Sequence, residues 1–202
     1  MKKFIAVAGN MGVGKTSFVE FLSEEFGFEP AYEPYADNPW LDEFYGDMGR
    51  WAYPSQIWFL TNKFRLHLDL NQKPGTVVQD RTIYEDAEIF ATNLHRQGHM
   101  QTREYRTYMD LYGGMKRTLQ PPDLMIYLRC SVRAIRRRIQ KRGRASEMAI
   151  PTKYLQGLNG LYENWMENYD LSPKVVWDSE RADYLTHIVD RLEFRKMLKP
   201  FL

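Results

Sequence analysis

A glycine-rich segment near the start of the chain has the spacing of a phosphate-binding loop. Residues 9–16 follow the pattern G-x-x-x-x-G-K-[ST]. In such a loop backbone N–H groups surround a phosphate, Lys15 would reach the β- and γ-phosphates, and the Thr16 hydroxyl could ligate Mg²⁺. A predicted strand at 4–8 and a predicted helix at 16–26 supply the context that the motif requires. The predicted ATP-binding residues of the loop are Gly9, Asn10, Met11, Gly12, Val13, Gly14, Lys15 and Thr16.

Two acidic residues farther along the chain could complete a site for phosphoryl transfer. Asp80 ends the apolar segment 76–80, a predicted strand, and ligands of parallel sheets bind at the carboxyl ends of strands. An acid there commonly supports Mg²⁺, although it can also cap the next helix. Glu33 suits a general base, a water-mediated Mg²⁺ ligand or a solvated loop carboxylate, and Arg81 could hold it. The predicted cofactor is Mg²⁺ bound with ATP as phosphate donor, with Thr16, Asp80 and Glu33 as metal ligands.

The segment 133–144 is strongly basic and allows three interpretations. It could be a solvated helix face, a nucleic-acid surface, or a lid that closes arginines onto the phosphates of ATP. Arg138 and Arg142 are four residues apart and share a helix face, and Gly143 suits a hinge. Because no aromatic residues alternate with the arginines, a lid is favoured and nucleic acid is not expected as a partner. The predicted lid spans about 138–150.

The strand and helix signals alternate along the chain. This order predicts the α/β class: a P-loop kinase fold with a parallel sheet of about five strands, helices on both faces and a short basic lid. We expect one domain over residues 1–202. The clear strands are at 4–8, 76–80, 123–128 and 174–177, and the residues at 28–32 are interpreted as a link. Further helices are predicted at 40–48, at 55–71 beginning after Pro54, and at 83–96, 102–119, 132–142, 153–167 and 184–198.

The composition excludes several classes of protein. The chain of 202 residues is 44% hydrophobic with a net charge of +2, so the overall charge calls for neither nucleic acid nor a membrane. No apolar run approaches the roughly 20 residues of a membrane helix. The single cysteine, Cys130, excludes an internal disulfide and favours a cytoplasmic location. The histidines have no metal-ligand spacing and receive no role: His67, His95, His99 and His187.

Taken together, these motifs resemble those of the deoxyribonucleoside kinases, in particular the branch of bacterial deoxyadenosine/deoxycytidine kinases. The resemblance spans most of the chain. Besides the glycine-rich loop, it rests on Glu33-Pro34, Arg50-Trp51 with Gln56, residues 80–86 (Asp-Arg-Thr-Ile-Tyr-Glu-Asp), residues 126–128, residues 138–144, Glu147 and Ile150-Pro151.

The resemblance implies ATP-dependent phosphorylation of the 5′-hydroxyl of a deoxyribonucleoside, and a homodimer. Glu33 would take the hydroxyl proton with Arg81 close by, so the predicted catalytic residues are Glu33, Arg81 and Lys15. Tyr45 and Glu147 would hold the 3′-hydroxyl. Gln56 would hydrogen-bond the base, Phe90 would stack on it, and Lys63 and Asp86 would lie at its far edge. Arg138, Arg142 and Arg144 would be lid arginines that bind ATP.

The preferred base and the reaction class leave alternatives. Lys63 stands where several relatives carry arginine, which weakens a bidentate contact with a base. Because Asp86 can accept a hydrogen bond from an exocyclic amine, we expect deoxyadenosine or deoxycytidine, with deoxyguanosine accepted if Lys63 meets its O6. The alternative functions are a thymidylate-type nucleoside monophosphate kinase, which needs no base at Glu33, and a non-catalytic nucleotide-binding protein.

Overall fold

The fold is built on a parallel sheet whose central strand leads into the glycine-rich loop. The computed structural model describes residues 3–180 and 188–201. Its strands there are β1 (Phe4–Ala8), β2 (Glu29–Ala31), β3 (Val77–Asp80), β4 (Leu124–Arg129) and β5 (Lys174–Asp178). All the pairings are parallel, in the spatial order β2-β3-β1-β4-β5. Val7 of β1 pairs with Asp80 of β3 on one side and with Ile126 of β4 on the other, so β1 is the central strand. The chain adds β2 and β3 on one side of β1 and then β4 and β5 on the other. Such a reversal of direction leaves a crevice at the carboxyl ends of the strands.

Helices connect the strands and cover the sheet. They are α1 (Lys15–Phe26), α2 (Leu41–Gly46), α3 (Met48–Gln72), α4 (Ile83–Glu85), α5 (Thr92–Arg96), α6 (Thr102–Lys116), α7 (Val132–Arg142), α8 (Ala145–Met148), α9 (Thr152–Asn168) and α10 (Ile188–Leu198). A π-helical turn, Asp86–Ala91, joins α4 to α5. Every residue of β1 and β3 is buried, as expected for parallel strands covered on both faces. Among the described helices, none has the combined length and apolar character of a membrane span.

The predicted strands at 4–8, 76–80, 123–128 and 174–177 are confirmed to within one residue, as is the parallel α/β class. The interpretation of 28–32 as a link is wrong, because Glu29–Ala31 pairs in parallel with β3 as an edge strand. This strand has three residues, one of them Pro30, so it is too short to produce a recognisable strand pattern.

The long helix α3 begins seven residues earlier than predicted. It starts at Met48 and contains Pro54, whereas the proline was expected to begin the helix. The Asp47 side chain caps it by accepting a hydrogen bond from the Arg50 backbone N–H at 3.1 Å. Pro54 lies in the second turn, where its missing N–H leaves only the Arg50 carbonyl without its helical bond. The predicted helix at 40–48 is observed as α2, which ends at Gly46, because Asp47 caps the start of α3.

One other helix end differs from its prediction. The predicted helix 102–119 ends at Lys116. The predicted helix 184–198 is described from Ile188 to Leu198, and residues 184–187, which include His187, lie outside the described part of the chain. Gly143 ends α7 with a left-handed φ of +70°, and its N–H donates to the Ile139 carbonyl.

Candidate active site

A cavity of about 240 Å³ opens at the carboxyl ends of β1 and β3. The glycine-rich loop forms one part of its wall, and the rest comes from the segment after β2, the end of β3, α2, α3, the π-helical turn, the lid and the first turn of α9. Most of the predicted site residues line it: Met11, Gly12, Gly14, Lys15, Thr16, Glu33, Tyr45, Gln56, Asp80, Arg81, Asp86, Phe90, Arg142, Arg144 and Glu147. Among the described residues, the predicted ones outside this wall are Gly9, Asn10, Val13, Lys63 and Arg138.

The loop has the backbone conformation that its glycines allow. Gly12 and Gly14 have φ angles of +70° and +100°, in the left-handed region that other residues rarely adopt. A Cβ atom on Gly12 would also lie 2.9 Å from the Ile139 side chain, so α7 packs directly against the loop. Gly14 is the N-cap of α1, and the loop therefore presents the N-terminus of that helix to the cavity.

Lys15 is buried at the base of the loop. Its Nζ donates to the Asn10 carbonyl at 3.1 Å, and only 7% of the residue is exposed. Burial, and next the positive charge of Arg81, lower the pKa of Lys15 to about 8, although Asp80, Glu33 and Glu85 act in the other direction. A triphosphate in the loop would supply the negative charge that this ammonium lacks.

Thr16 and Asp80 meet beside the loop and fit a magnesium ion. The Thr16 hydroxyl donates to Asp80 Oδ2 at 2.8 Å, and Asp80 Oδ1 is buried without a hydrogen-bond partner among the described atoms. Hydroxyl and carboxylate oxygens are ligands that Mg²⁺ accepts, usually with substrate phosphates and water. Asp80 does not cap the next helix, because Thr82 does so in a capping box with Glu85. The structure therefore favours metal support over capping for Asp80.

Glu85 is a buried carboxylate that the sequence did not single out. Its Oε2 accepts from the Thr82 backbone N–H at 2.8 Å, and its Oε1 accepts from the Gly9 N–H at 3.3 Å and the Tyr162 hydroxyl at 2.9 Å. These bonds fix the start of the glycine-rich loop to α4 and α9. The signal in the sequence was the spacing of Thr82 and Glu85, which is that of a capping box.

Four charged side chains form a connected group at the cavity wall opposite the glycine-rich loop, three of them buried and Glu33 nearly so. Arg81 Nη1 contacts both oxygens of Glu33 at 3.0 and 2.9 Å. Lys63 Nζ donates to Glu33 Oε1 at 2.8 Å and to Asp86 Oδ1 at 2.9 Å. Lys63 is fully buried and lies behind the cavity wall, whereas the resemblance implied a position at the edge of the base. In this structure it contacts the two carboxylates instead.

The two carboxylates of this group have opposite pKa shifts. Burial raises the pKa of Glu33, but the charges of Arg81, Lys63 and Lys15 outweigh it and lower the pKa to about 2. Burial raises the pKa of Asp86 to about 6, against the opposing effect of Lys63 and with a further contribution from Glu33. Glu33 is therefore ionised throughout the neutral range.

Arg81 is held in an unusual conformation against an aromatic ring. Its φ of +59° is the one left-handed value that a non-glycine residue has in the described part of the chain. The guanidinium carbon lies 4.4 Å from the centre of the Phe90 ring. The strained backbone and the stacked ring together fix the direction in which Arg81 approaches Glu33.

The part of the wall formed by α3 and the π-helical turn presents oxygen acceptors. Gln56 Oε1 and Asp86 Oδ2 are buried and have no hydrogen-bond partner among the atoms described. Asp86 and Phe90 both come from the π-helical turn, a conformation that is rare and frequent at functional sites. Phe59, on the same face of α3 as Gln56, and Tyr154, from the first turn of α9, also line the wall. The three-residue spacing from Gln56 could have revealed Phe59; nothing in the sequence indicated Tyr154.

The lid arginines divide into two groups. Arg142 and Arg144 line the cavity and pair with Glu147, Arg144 at 3.4 Å, and the Arg144 guanidinium also lies 4.5 Å from the Tyr35 ring. Arg138 instead donates to the Val13 carbonyl at 2.7 Å and to both oxygens of Ser179. Arg138 thus fixes the loop from behind, and its predicted contact with ATP stays a prediction.

Asn10 also acts from outside the cavity wall. Its side-chain amide donates to the Leu155 carbonyl and to Asn159 Oδ1, both at 3.2 Å, and accepts from the Met11 N–H at 2.8 Å. These bonds connect the glycine-rich loop to α9. Asn10 therefore holds the glycine-rich loop in place from behind, and its predicted contact with ATP stays a prediction.

Comparisons with known proteins agree on one family. The family model described as deoxynucleoside kinase matches residues 5–201. The chain is 35% identical over 196 residues to a deoxyadenosine/deoxycytidine kinase of Bacillus subtilis (strain 168), covering 93% of this chain and 90% of that protein. It is 34% identical to a deoxyguanosine kinase of Lactobacillus acidophilus, covering 93% and 85%. A structure of deoxyadenosine kinase from M. mycoides with bound dATP superimposes with a TM-score of 0.85 at 29% identity, covering 96% and 98%.

Proposed function

The chain belongs to the deoxynucleoside kinase family, and on that basis we propose that it transfers the γ-phosphoryl group of ATP to the 5′-hydroxyl of a deoxyribonucleoside in nucleotide salvage. The observation that carries this proposal is that one cavity contains both a phosphate-binding motif and a carboxylate suited to the acceptor hydroxyl. Lys15 and Thr16 line its phosphate side, and the Glu33–Arg81 pair lies in the same wall. We treat residues 1–202 as a single kinase domain.

Glu33 is suited to hold the attacking hydroxyl. Because its pKa is about 2, it is an ionised hydrogen-bond acceptor at every working pH. The same low pKa makes it a weak base, but phosphoryl transfer passes through a loose transition state and depends mainly on positioning and on charge. Glu33 would therefore orient the 5′-hydroxyl early and accept its proton late, with Arg81 fixing the carboxylate.

Positive charge on the transferred group would come from residues on the phosphate side. Lys15 would meet the β- and γ-phosphates, and Arg142 and Arg144 would close over them after releasing Glu147, which is then available to the 3′-hydroxyl with Tyr45. A Mg²⁺ ion, when bound, would be held by Thr16 and Asp80 and would neutralise phosphate charge. Glu33 is held by the cations Arg81 and Lys63, so we assign it to the hydroxyl and assign Mg²⁺ to Thr16 and Asp80.

The preferred base follows from the unpaired acceptors. A base with an exocyclic amine can donate to Asp86 Oδ2 or Gln56, whereas thymine offers a carbonyl and a methyl group. Leaving this buried carboxylate oxygen unpaired costs about 1–3 kcal/mol, or roughly five- to 150-fold in discrimination. We therefore propose deoxyadenosine or deoxycytidine first and thymidine last. Deoxyguanosine ranks between them, because Lys63, expected to meet its O6, is buried behind the wall.

The proposal extends to the assembly and the compartment. The apolar side chains of Ile57, Phe64 and Leu68 on α3 remain only half-buried, which leaves apolar surface for the second copy of a homodimer. Cys130 is the single cysteine, which supports a reducing compartment such as the cytoplasm. Analytical ultracentrifugation would test the dimer directly.

A substrate panel tests the function. The protein with ATP and Mg²⁺ is incubated with the four deoxynucleosides and, separately, with their 5′-monophosphates. We expect monophosphates to form from deoxyadenosine and deoxycytidine, and no diphosphate to form. Phosphorylation of thymidine monophosphate alone would contradict the proposal and indicate a thymidylate-type kinase. ATP binding without turnover of any acceptor would indicate a non-catalytic nucleotide-binding protein.

A further inference from the structure

Lys63 makes two contacts that join separate parts of the site. Its side chain is fully buried, with 0% of its surface exposed, and its Nζ lies 2.8 Å from Glu33 and 2.9 Å from Asp86. The described residues that form the cavity wall do not include it. A bound nucleoside would therefore contact both of its partners without having to contact Lys63 itself.

The partners of Lys63 have different tasks in the proposed reaction. Glu33 faces the attacking hydroxyl, while Asp86 faces the base. Glu33 has a second cationic partner in Arg81, but Lys63 supplies the only ion pair of Asp86 among the described residues. The group contains two positive and two negative side chains that are almost removed from water, so any change of charge at Asp86 acts strongly on Lys63.

We propose that Lys63 is a positioning residue that transmits the fit of the base at Asp86 to the carboxylate of Glu33. This inference rests on the proposed function. When Asp86 carries its full charge, the ammonium of Lys63 is shared between two carboxylates. When Asp86 loses that charge, or when the base pairs with it in the wrong geometry, the ammonium of Lys63 moves toward Glu33. There it competes with the substrate hydroxyl for Oε1 of Glu33. A wrong base then lowers kcat as well as weakening binding.

The test is a double-mutant cycle read at saturating nucleoside. The variants are Asp86→Asn, Lys63→Met, the double variant, and Lys63→Arg. For each, kcat and KM are measured with deoxyadenosine, deoxycytidine and thymidine at saturating ATP and Mg²⁺. We expect Asp86→Asn to lower kcat for the amine-bearing nucleosides about tenfold when Lys63 is present, and to change kcat less than about twofold when Lys63→Met is also present.

Two further variants serve as controls for the loss of a lysine and for the loss of its charge. Lys73→Met is a matched control, because Lys73 follows the same helix and pairs with Glu29 on the surface. We expect it to leave kcat and KM unchanged. Lys63→Arg retains a cation able to reach both carboxylates, and we expect it to preserve the effect of Asp86→Asn on kcat. If Lys63→Met does not fold, Lys63→Gln, which keeps a hydrogen-bond donor but carries no charge, takes its place in the cycle and is expected to reduce the effect of Asp86→Asn on kcat in the same way.

Specific results would overturn the inference. If Asp86→Asn raises KM but leaves kcat within about twofold, Lys63 transmits nothing from the base. If Asp86→Asn lowers kcat equally with and without Lys63, the effect is structural or passes by another route. In both cases the unmodified protein still phosphorylates deoxynucleosides, and the proposed function stands. An unmodified protein inactive on every deoxynucleoside would overturn both proposals.

Discussion

The phosphate side and the nucleoside side of the cavity are built in different ways. The phosphate side is centred on one continuous loop, residues 9–16, whose glycine conformations suit backbone N–H groups to a phosphate, and Arg142 and Arg144 of the lid lie over it. The side proposed to hold the nucleoside, called the nucleoside side, is assembled from side chains of the segment after β2, α2, α3, the end of β3, the π-helical turn and α8. The first is a local structure, whereas the second exists only when distant segments pack together.

The two sides also differ in how their charges are balanced. Lys15 has no carboxylate bonded to it within the described structure, and its Nζ donates to the carbonyl of Asn10. On the other side, Glu33, Lys63, Asp86 and Arg81 form a continuous chain of ion pairs. We therefore expect each substitution on the phosphate side to act independently of the others. A substitution on the nucleoside side should instead change the interactions of several neighbouring charges.

The largest effect is expected at Lys15. Lys15→Ala should lower kcat about 10³-fold, because the lysine meets charge that develops during transfer. Because the folded-state pKa of about 8 lies below that of an exposed lysine, burying the charged form below pH 8 costs stability. The variant should therefore unfold at a temperature no lower than the original protein, as measured by calorimetry. Activity within about tenfold of the original would contradict the assignment of the loop.

The second-largest effect is expected at Glu33, in the group of connected charges. Glu33→Gln should lower kcat about 10²-fold and leave the ATP dissociation constant nearly unchanged, since the amide cannot accept the hydroxyl proton. Unlike Lys15→Ala, it should also lower the unfolding temperature, because Arg81 and Lys63 lose a charged partner. Glu29→Gln, on the exposed edge strand, is the matched control. A variant that keeps kcat but loses ATP affinity would assign Glu33 to the metal.

The same contrast explains what the sequence could predict. The strand at 4–8, the loop and the helix after it are specified by local residues, so the phosphate side was predicted from pattern alone. Gln56, Tyr45 and Phe90 have no local signal, and only the family resemblance brought them into the predicted site. Even the resemblance did not predict that Lys63 would lie behind the wall, because that position depends on how α3 packs against the π-helical turn.

Helix boundaries show the same limit on a smaller scale. Pro54 was a reasonable start for α3, yet the helix begins at Met48 because Asp47 supplies a cap and the core holds the first two turns. The edge strand β2 escaped prediction because tertiary pairing with β3, rather than its own sequence, makes it a strand. Local signals fail where distant contacts determine the structure.

A smaller effect should separate the two groups of lid arginines. Arg142→Ala should raise the KM for ATP roughly tenfold, because a charge-assisted hydrogen bond to phosphate is lost. Arg138→Ala should instead lower the free energy of unfolding by about 1–3 kcal/mol, since the Val13 carbonyl loses its donor. Steady-state kinetics and chemical denaturation of both variants distinguish these outcomes. If Arg138→Ala raises the KM as much as Arg142→Ala does, Arg138 moves to the nucleotide on binding.

The smallest predicted effect is a pH dependence that belongs to the phosphate side alone. With a pKa of about 8 in the free protein, Lys15 loses its charge as the pH rises through 8, whereas a bound triphosphate would keep it protonated. ATP binding should therefore weaken roughly fourfold between pH 7 and pH 8.5. Glu33 cannot cause this change, because its pKa of about 2 keeps it ionised throughout that range. Isothermal titration with ATP would measure the dependence, and Lys15→Arg, whose charge does not titrate there, should abolish it. If the dependence survives in Lys15→Arg, another group titrates and the phosphate side is coupled to the rest of the cavity more closely than its contacts suggest.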